Sequence, residues 1–281
     1  MRKKALLIVI AIVVLLIGIG IMLYPLISNL YENAYHSEVI QSYQEDVNAL
    51  DTEQLQEELK KARRYNDALH DLILKEDPFT TEFEVQNVDY ENLLNINQDG
   101  VMSYVEIPEI DVYLPIYHGT TDDVLERGVG HIINTSLPIG GKSTHCVISA
   151  HSGSPSATLF TRLDELKEGD EFYLYTLGEK LSYEVDQIKT VLPHETDDFR
   201  IVEGQDYVTL VTCTPYGINT HRLLVRGHRT ANNISEETIV NQEHTVAPFD
   251  FTAYIIALII LILTLIAFLV LRRIRKARKN Q

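Results

Sequence analysis

Two long apolar runs lie near the two ends of the chain, at residues 5–23 and 254–271. Each is long enough to cross the roughly 30 Å hydrocarbon core of a bilayer as a helix. Neither has the polar face that an amphipathic helix of a soluble protein presents to water. The pattern therefore predicts two transmembrane helices that flank the rest of the chain.

Basic residues stand just outside both runs, at the two ends of the chain. By the positive-inside rule, both ends face the cytoplasm and the residues between the runs lie outside the cell. The C-terminal basic residues are also expected to contact anionic membrane lipid. A cleaved signal peptide is the alternative for the first run. We favour an anchor, because the run is longer than a normal signal core and no cleavage site stands out before Tyr24 and Pro25.

The stretch after the first run has helical spacing over residues 32–74. Its second half opens with a capping-box pattern, in which Asp51 is the N-cap and Gln54 lies three residues on. One apolar face follows, made of Leu55, Leu59, Ala62, Tyr65, Leu69 and Leu72. Pro78 ends the helical pattern, and residues 76–100 read as a long irregular loop of a kind that often covers a functional site.

From residue 104 onward, short β-branched and aromatic runs alternate with turn residues. The candidate strands are residues 104–107, 112–116, 144–149, 171–176, 181–191, 207–213 and 222–229, with short helical pieces near 122–127 and 157–165 and a hairpin turn at 177–180. So many short strands predict a mainly β fold, closed or nearly closed into a barrel. The predicted segments are the N-terminal basic end with its transmembrane helix (1–28), an extracytoplasmic helical region (29–75), the irregular loop (76–100), the barrel (101–230), a polar linker (231–252) and the C-terminal transmembrane helix with its basic tail (253–281).

Charge is distributed very unevenly along the 281 residues. All 40 acidic residues lie between Glu32 and Asp250, where only 15 of the 24 basic residues occur, so the middle carries a formal charge of −25. So acidic a body argues against nucleic acid as a partner, because phosphate contacts need Lys and Arg. The two cysteines, Cys146 and Cys213, are too few for a disulfide-rich scaffold, and both are expected to be free.

Cys213 ends a candidate strand and is followed by the turn residues Pro215 and Gly217, while Arg222 opens the next strand. A thiol at a strand end beside a cation is suited to nucleophilic attack, because the cation favours the thiolate. The same cation can stabilise charge on a carbonyl oxygen. The alternative is that a lone cysteine in an apolar strand is a buried small side chain, which is our interpretation of Cys146.

A cysteine nucleophile also needs a histidine partner, and the chain has 10 histidines. His151 stands out because it follows an apolar strand and precedes Ser152 and Gly153. It therefore lies, like Cys213, at a strand end beside a turn. Surface or hydrogen-bonding roles are expected for His118, His131, His145, His194, His221 and His228.

Two stretches resemble motifs of class C sortases, the pilin-polymerising cysteine transpeptidases of Gram-positive bacteria. One is Thr212-Cys213-Thr214-Pro215-Tyr216-Gly217, continued by Asn219, Thr220 and Arg222-Leu223-Leu224-Val225-Arg226-Gly227, and the other is Ala150-His151-Ser152-Gly153. Asp77-Pro78-Phe79 matches the anchor of the lid in that class. A C-terminal transmembrane helix with a basic tail is also common in class C sortases. The resemblance implies a sortase-like closed β-barrel of seven to eight strands with short helices, a lid loop and two flanking transmembrane helices in the cell membrane.

The resemblance also implies a mechanism without a metal or an organic cofactor. Cys213 attacks the Thr–Gly bond of an LPXTG-like sorting signal, Arg222 stabilises the oxyanion, and His151 acts as general acid and base. The thioacyl intermediate then passes to an acceptor lysine of the next pilin subunit, which forms an isopeptide bond during pilus assembly.

The lid resemblance implies a closed free enzyme. Asp77 would pair with Arg222 and Phe79 would cover Cys213, so that opening must precede catalysis. The alternative is that Asp77 and Pro78 only end the preceding helix.

Two other functions stay open. One is a sortase that attaches surface proteins to cell-wall peptide, with a wall amine as the acceptor, although the lid and the tail argue against it. The other is a non-catalytic, membrane-tethered assembly module in which Cys213 is structural.

Overall fold

The computed structural model describes residues 2–69, 89–154 and 157–230. The chain divides into two units, Met1–Ile234 and Ser235–Gln281. The second unit, with the predicted C-terminal transmembrane helix, lies outside the described residues, and so does the predicted lid tripeptide at residues 77–79.

Eight strands of the first unit close into a barrel. In chain order they are β1 (Val101–Ile107), β2 (Val112–His118), β3 (Val129–His131), β4 (Thr144–Ser149), β5 (Glu171–Thr176), β6 (Glu179–Val191), β7 (Asp206–Thr214) and β8 (His221–Arg229). Their order around the barrel is β1-β2-β3-β4-β7-β8-β6-β5. The pairs β2–β3 and β4–β7 run parallel and the others antiparallel. The predicted mainly β fold and closed barrel are confirmed.

The barrel interior is tightly filled. Phe172 and Tyr183 stack there with ring centroids 5.6 Å apart. Gly227 of β8 lies against them, since a Cβ added to it would come within 2.6 Å of the Phe172 ring. All residues of β4 are buried, because its outward-facing side is covered by a second apolar cluster that includes Val147 and Val211. The ends of β4 and β7 therefore rest on a rigid support.

The first helix, α1 (Arg2–Ala49), is continuous over 48 residues and passes through Pro25. Its apolar part contains an 18-residue window with a mean hydropathy of 2.2, which is compatible with the predicted N-terminal membrane anchor. Its second half docks on the barrel. There the Tyr43 hydroxyl donates to Met102 O at 3.1 Å and accepts from Leu177 N–H at 3.0 Å.

The second helix, α2 (Thr52–Ala68), begins at the predicted capping box. Gln54 N–H donates to Asp51 Oδ1 at 2.8 Å, and Asp51 N–H donates to Gln54 Oε1 at 2.9 Å. A third helix, α3 (Asp122–Arg127), forms at the first of the two predicted short helical pieces. These local signals are therefore confirmed.

Strand β3 was not predicted. It has three residues with Gly130 in the middle, which is too short for a periodic pattern. The glycine is needed because an added Cβ would lie 2.3 Å from the carbonyl oxygen of Gly119. The strand exists only through its pairing with β2 and β4.

The predicted helical piece at residues 157–165 is wrong, apart from a 3-10 turn at Leu163–Glu165. Leu159 has a φ of 41°, in the left-handed region, which interrupts a right-handed helix. Thr158 N–H donates to the side-chain oxygen of Asn29 at 3.0 Å, outside the segment. A tertiary contact has thus replaced the local helical bond.

Candidate active site

The parallel pairing of β4 and β7 brings His151 and Cys213 to one end of the barrel. Ser149 pairs with Val211 at the end of the ladder, and Ala150 N–H extends it by donating to Val211 O at 3.1 Å. Continuing this register by two residues sets His151 beside Cys213. Equivalent positions on neighbouring strands point to the same face of a sheet. The register therefore leads both sequence-predicted residues to the same end of the barrel.

A side-chain bond ties the two strand ends just before this pair. The Thr212 hydroxyl donates to Ala150 O at 2.8 Å, and both residues are buried. His151 and Cys213, one residue further on, are each only partly buried. The pair therefore sits on a fixed base while its side chains remain open to a substrate.

Arg222 lies directly opposite Cys213 in the antiparallel ladder of β7 and β8. Such partners share a face, with Cβ atoms about 5 Å apart. The Arg222 side chain is nearly enclosed, at 7% exposure. Its Nη1 donates to the carbonyl oxygens of Asn219 and His221 at 3.3 and 3.2 Å. These bonds fix the guanidinium group of the residue that pairs with Cys213 across the ladder.

The loop between β7 and β8 is a compact turn, and its backbone geometry accounts for the glycine and the asparagine in it. Ile218 N–H and Asn219 N–H both donate to Pro215 O at 3.0 Å. Gly217 has a φ of 72° and Asn219 a φ of 60°. Glycine and asparagine are the residues that enter this left-handed region most readily. The loop thus returns β8 in the register that pairs the cation with the thiol.

The loop after His151 is held from two sides. The His151 carbonyl oxygen accepts from Phe160 N–H at 3.1 Å, and Gly153 N–H donates to Thr161 Oγ1 at 3.0 Å. The ring of Tyr216, from the β7–β8 loop, lies against Gly153, where an added Cβ would be 2.9 Å from a ring carbon. Gly153 also has a φ of 82°. Tyr216 therefore bridges the two loops of the candidate site.

Comparison with known proteins identifies this arrangement. The profile of the sortase domain matches residues 105–230. The chain is similar to Sortase A of Bacillus anthracis, at 28% identity over 156 residues that cover 54% of this chain and 71% of that protein. A solved sortase C-1 of Streptococcus pneumoniae is 48% identical with a TM-score of 0.64, over 69% of this chain and 98% of that one. A solved sortase C-1 of Actinomyces oris is 47% identical with a TM-score of 0.60, over 63% and 99%. The chain belongs to the sortase family.

Its solved relatives of high identity are class C sortases, so the class indicated by the motifs is confirmed. Sortases are cysteine transpeptidases, and the predicted type of enzyme is confirmed with the family. The roles of individual residues in this sortase remain predictions, and they are argued below from its own geometry.

Cys146 does not have the surroundings of a nucleophile in this sortase. It lies in the middle of β4 and is buried, and burial raises the pKa of its thiol. A thiol that stays protonated does not attack a carbonyl carbon. The placement agrees with the predicted core role of Cys146, and neither Cys146 nor Cys213 forms a disulfide, as expected.

Two other histidines of this sortase are part of its core. His131 Nε2–H donates to Ser136 O at 2.9 Å, and the Tyr90 hydroxyl lies 2.8 Å from its Nδ1. His145 contacts Arg200 O at 2.9 Å and Thr209 Oγ1 at 2.7 Å. Burial lowers the pKa of both histidines to about 4, so both are neutral at pH 7. Their predicted hydrogen-bonding role is confirmed.

Sequence reasoning missed a buried histidine on α1 that faces the barrel. His36 is 1% exposed, and its Nε2–H donates to Arg127 O, at the end of α3, at 3.0 Å. Burial lowers its pKa to about 4. Nothing around His36 in the sequence distinguishes it from a surface helix position, because its partner lies 91 residues away.

Proposed function

We propose that this sortase is a membrane-anchored transpeptidase that polymerises pilin, with Cys213 as nucleophile, His151 as general acid and base, and Arg222 as the oxyanion-stabilising cation. The register that sets these side chains together carries the proposal. Cys213 pairs with Arg222 across β7 and β8, and the β4–β7 ladder leads His151 to the same place. The class supports pilin as substrate, since one solved relative is a pilus-related sortase C of Group B Streptococcus.

The first half-reaction cleaves an LPXTG-like sorting signal between Thr and Gly. The Cys213 thiolate attacks the Thr carbonyl carbon, and negative charge develops on the carbonyl oxygen beside Arg222. The C–N bond to Gly then breaks as imidazolium His151 gives its proton to the departing amine. A thioester and a neutral imidazole remain.

The second half-reaction restores the enzyme. The neutral ε-amine of a lysine on the next pilin subunit attacks the thioester carbon, and His151 takes up the proton that the amine loses. The C–S bond breaks, which releases the Cys213 thiolate and forms the isopeptide bond. Protons and electrons balance over the cycle, so the scheme needs no metal or organic cofactor.

The proposal places both chain ends in the cytoplasm and the barrel outside the cell. The apolar part of α1 supports the first anchor, and the charge pattern of the sequence supports the second. We also carry forward the lid, in which Asp77 pairs with Arg222 and Phe79 covers Cys213. Replacing Asp77 and Phe79 by Ala should speed the labelling of Cys213 by a thiol reagent, and unchanged labelling would reject the lid.

Incubation of the full-length enzyme in detergent with a purified pilin tests the function. The wild type should form a ladder of covalent multimers, and Cys213→Ala should form none. Cys146→Ala is the matched control, since it removes the other thiol and should leave the ladder in place. If Cys213→Ala still forms a ladder, the assignment of Cys213 as nucleophile is wrong. Transfer to a cell-wall peptide amine without a ladder would favour the wall-anchoring function instead.

A further inference from the structure

The part of α1 just beyond its apolar run is bonded to the segment that follows His151. Asn29 lies about 9 Å past the end of that run, at 1.5 Å per residue. Its Oδ1 accepts two hydrogen bonds from Thr158, from the backbone N–H at 3.0 Å and from the hydroxyl at 2.9 Å. One carboxamide oxygen thus satisfies both donors of a residue that is 129 positions away.

Thr158 is linked to His151 through Leu159 and Phe160, the two residues that follow it. Leu159 and Phe160 are 2% and 0% exposed, and Phe160 N–H holds the His151 carbonyl oxygen at 3.1 Å. Leu159 has a φ of 41°. A bulky residue keeps this left-handed conformation only where its neighbours hold it. The segment is therefore fixed by burial on one side and by Asn29 on the other.

We propose that Asn29 is a positioning residue, which holds residues 157–160 and through them the backbone of His151 in register with Cys213. The helix that carries the membrane anchor would then also align the general acid. α1 can act as a fixed reference because its later turns are bonded to the barrel through Tyr43. The proposal rests on the catalytic roles of His151 and Cys213 proposed above.

Variants of Asn29 separate the carboxamide oxygen from the rest of the side chain. Asn29→Ala removes both bonds and should lower kcat for sorting-signal cleavage about three- to tenfold, with little change in KM, given the net contribution of one or two hydrogen bonds. Asn29→Asp keeps an accepting oxygen and should restore most of the rate. Asn29, Asn33 and Thr158 all line one cleft of about 280 Å³. Asn33→Ala is therefore the matched control, because Asn33 lies one turn further along α1 in the same cleft.

The pH profile of Cys213 alkylation provides the readout that a merely structural role would not move. A general loss of folded enzyme lowers the amount of reactive thiol at every pH. Displacement of His151 instead weakens the imidazolium–thiolate pair, so the rise in alkylation rate should move to higher pH. Thr158→Val serves as a milder variant, because it removes only the hydroxyl donor and keeps the backbone bond.

The measurements use the full-length chain in detergent micelles. The inference is supported if Asn29→Ala lowers kcat and moves the alkylation profile while Asn29→Asp and Asn33→Ala stay near the wild type. It is overturned if Asn29→Ala and Thr158→Val both match Asn33→Ala in rate and profile. Failure of the proposed function would look different. In that case the wild type would not cleave the sorting-signal peptide, or Cys213→Ala would still cleave it.

Discussion

Acid should destabilise this sortase through its buried histidines, and His131 allows the effect to be measured at one site. Burial lowers the pKa of His131 from its ordinary 6.5 to about 4. The folded protein therefore binds this proton less readily than the unfolded chain. The stability contributed by the neutral ring is fully present above pH 6.5 and is lost as the pH falls toward 4.

The magnitude follows from the size of this pH interval. At 1.36 kcal/mol for each pH unit, His131 alone removes about 3 kcal/mol of unfolding free energy between pH 6.5 and 4. His36 and His145 have their pKa lowered to about 4 by burial as well. The three act in the same direction, so their combined effect is on the order of the whole stability of a domain.

Urea unfolding at a series of pH values between 7.5 and 4.5 measures this directly. The chain has 15 tyrosines and no tryptophan, so near-ultraviolet circular dichroism of tyrosine reports the loss of packing. His131→Asn removes the titrating ring and keeps a side chain that can accept from Tyr90. It should flatten the dependence of unfolding free energy on pH by at most about 1.4 kcal/mol per pH unit, the limit for one proton.

His194→Asn is the control, because His194 is exposed and its replacement should leave the slope unchanged. Equal slopes for the wild type and His131→Asn would refute the reasoning for that site. They would mean that the folded protein takes up the proton as easily as the unfolded chain. A wild-type unfolding free energy that is constant from pH 6.5 to 4.5 would refute it for all three histidines.

Three further predictions concern packing and the site. Gly227→Ala should lower unfolding free energy by about 1–3 kcal/mol, because its Cβ would meet the Phe172 ring at 2.6 Å; a melting temperature equal to wild type would contradict this. Tyr216→Ala should slow cleavage of the sorting-signal peptide several-fold while Tyr216→Phe does not, because the ring makes the contact with Gly153. Similar rates for the two variants would argue against a bridging role. Arg222→Ala should reduce kcat about 10²- to 10³-fold, as loss of an oxyanion donor does, and a change confined to KM would assign Arg222 to substrate binding instead.

The parts of the fold that the sequence predicts are those decided by neighbouring residues. The capping box at Asp51 forms because both partners lie within one turn of helix. The hairpin at Leu177 and Gly178 forms because both adopt positive φ, of 50° and 82°. Strand β3 and residues 157–165 could not be predicted in the same way. Their backbone partners come from distant elements, namely β2 and β4 for the strand and Asn29 for the segment.

In the candidate site, too, local features could be predicted from the sequence and contacts between distant residues could not. Residue type and position at a strand end made Cys213, His151 and Arg222 candidates, and the resemblance to class C sortase motifs decided in their favour. The register that joins them was not visible, because β4 and β7 pair in parallel across a long intervening stretch. The contact of Tyr216 with Gly153 was missed for the same reason. The sequence marks Gly153 as a turn residue and as part of the histidine motif, but not as a contact of Tyr216.

In the closed barrel every strand has hydrogen-bonded neighbours on both sides. Extended peptides often bind proteins by adding a strand to an open sheet edge, and open edges also pair with unrelated chains. Among the described strands this barrel offers no such edge. If the enzyme works among extended sorting signals, as proposed above, its described strands give them no open edge to pair with. Signals would then be distinguished by the shape and side chains of the loops where β4 and β7 end.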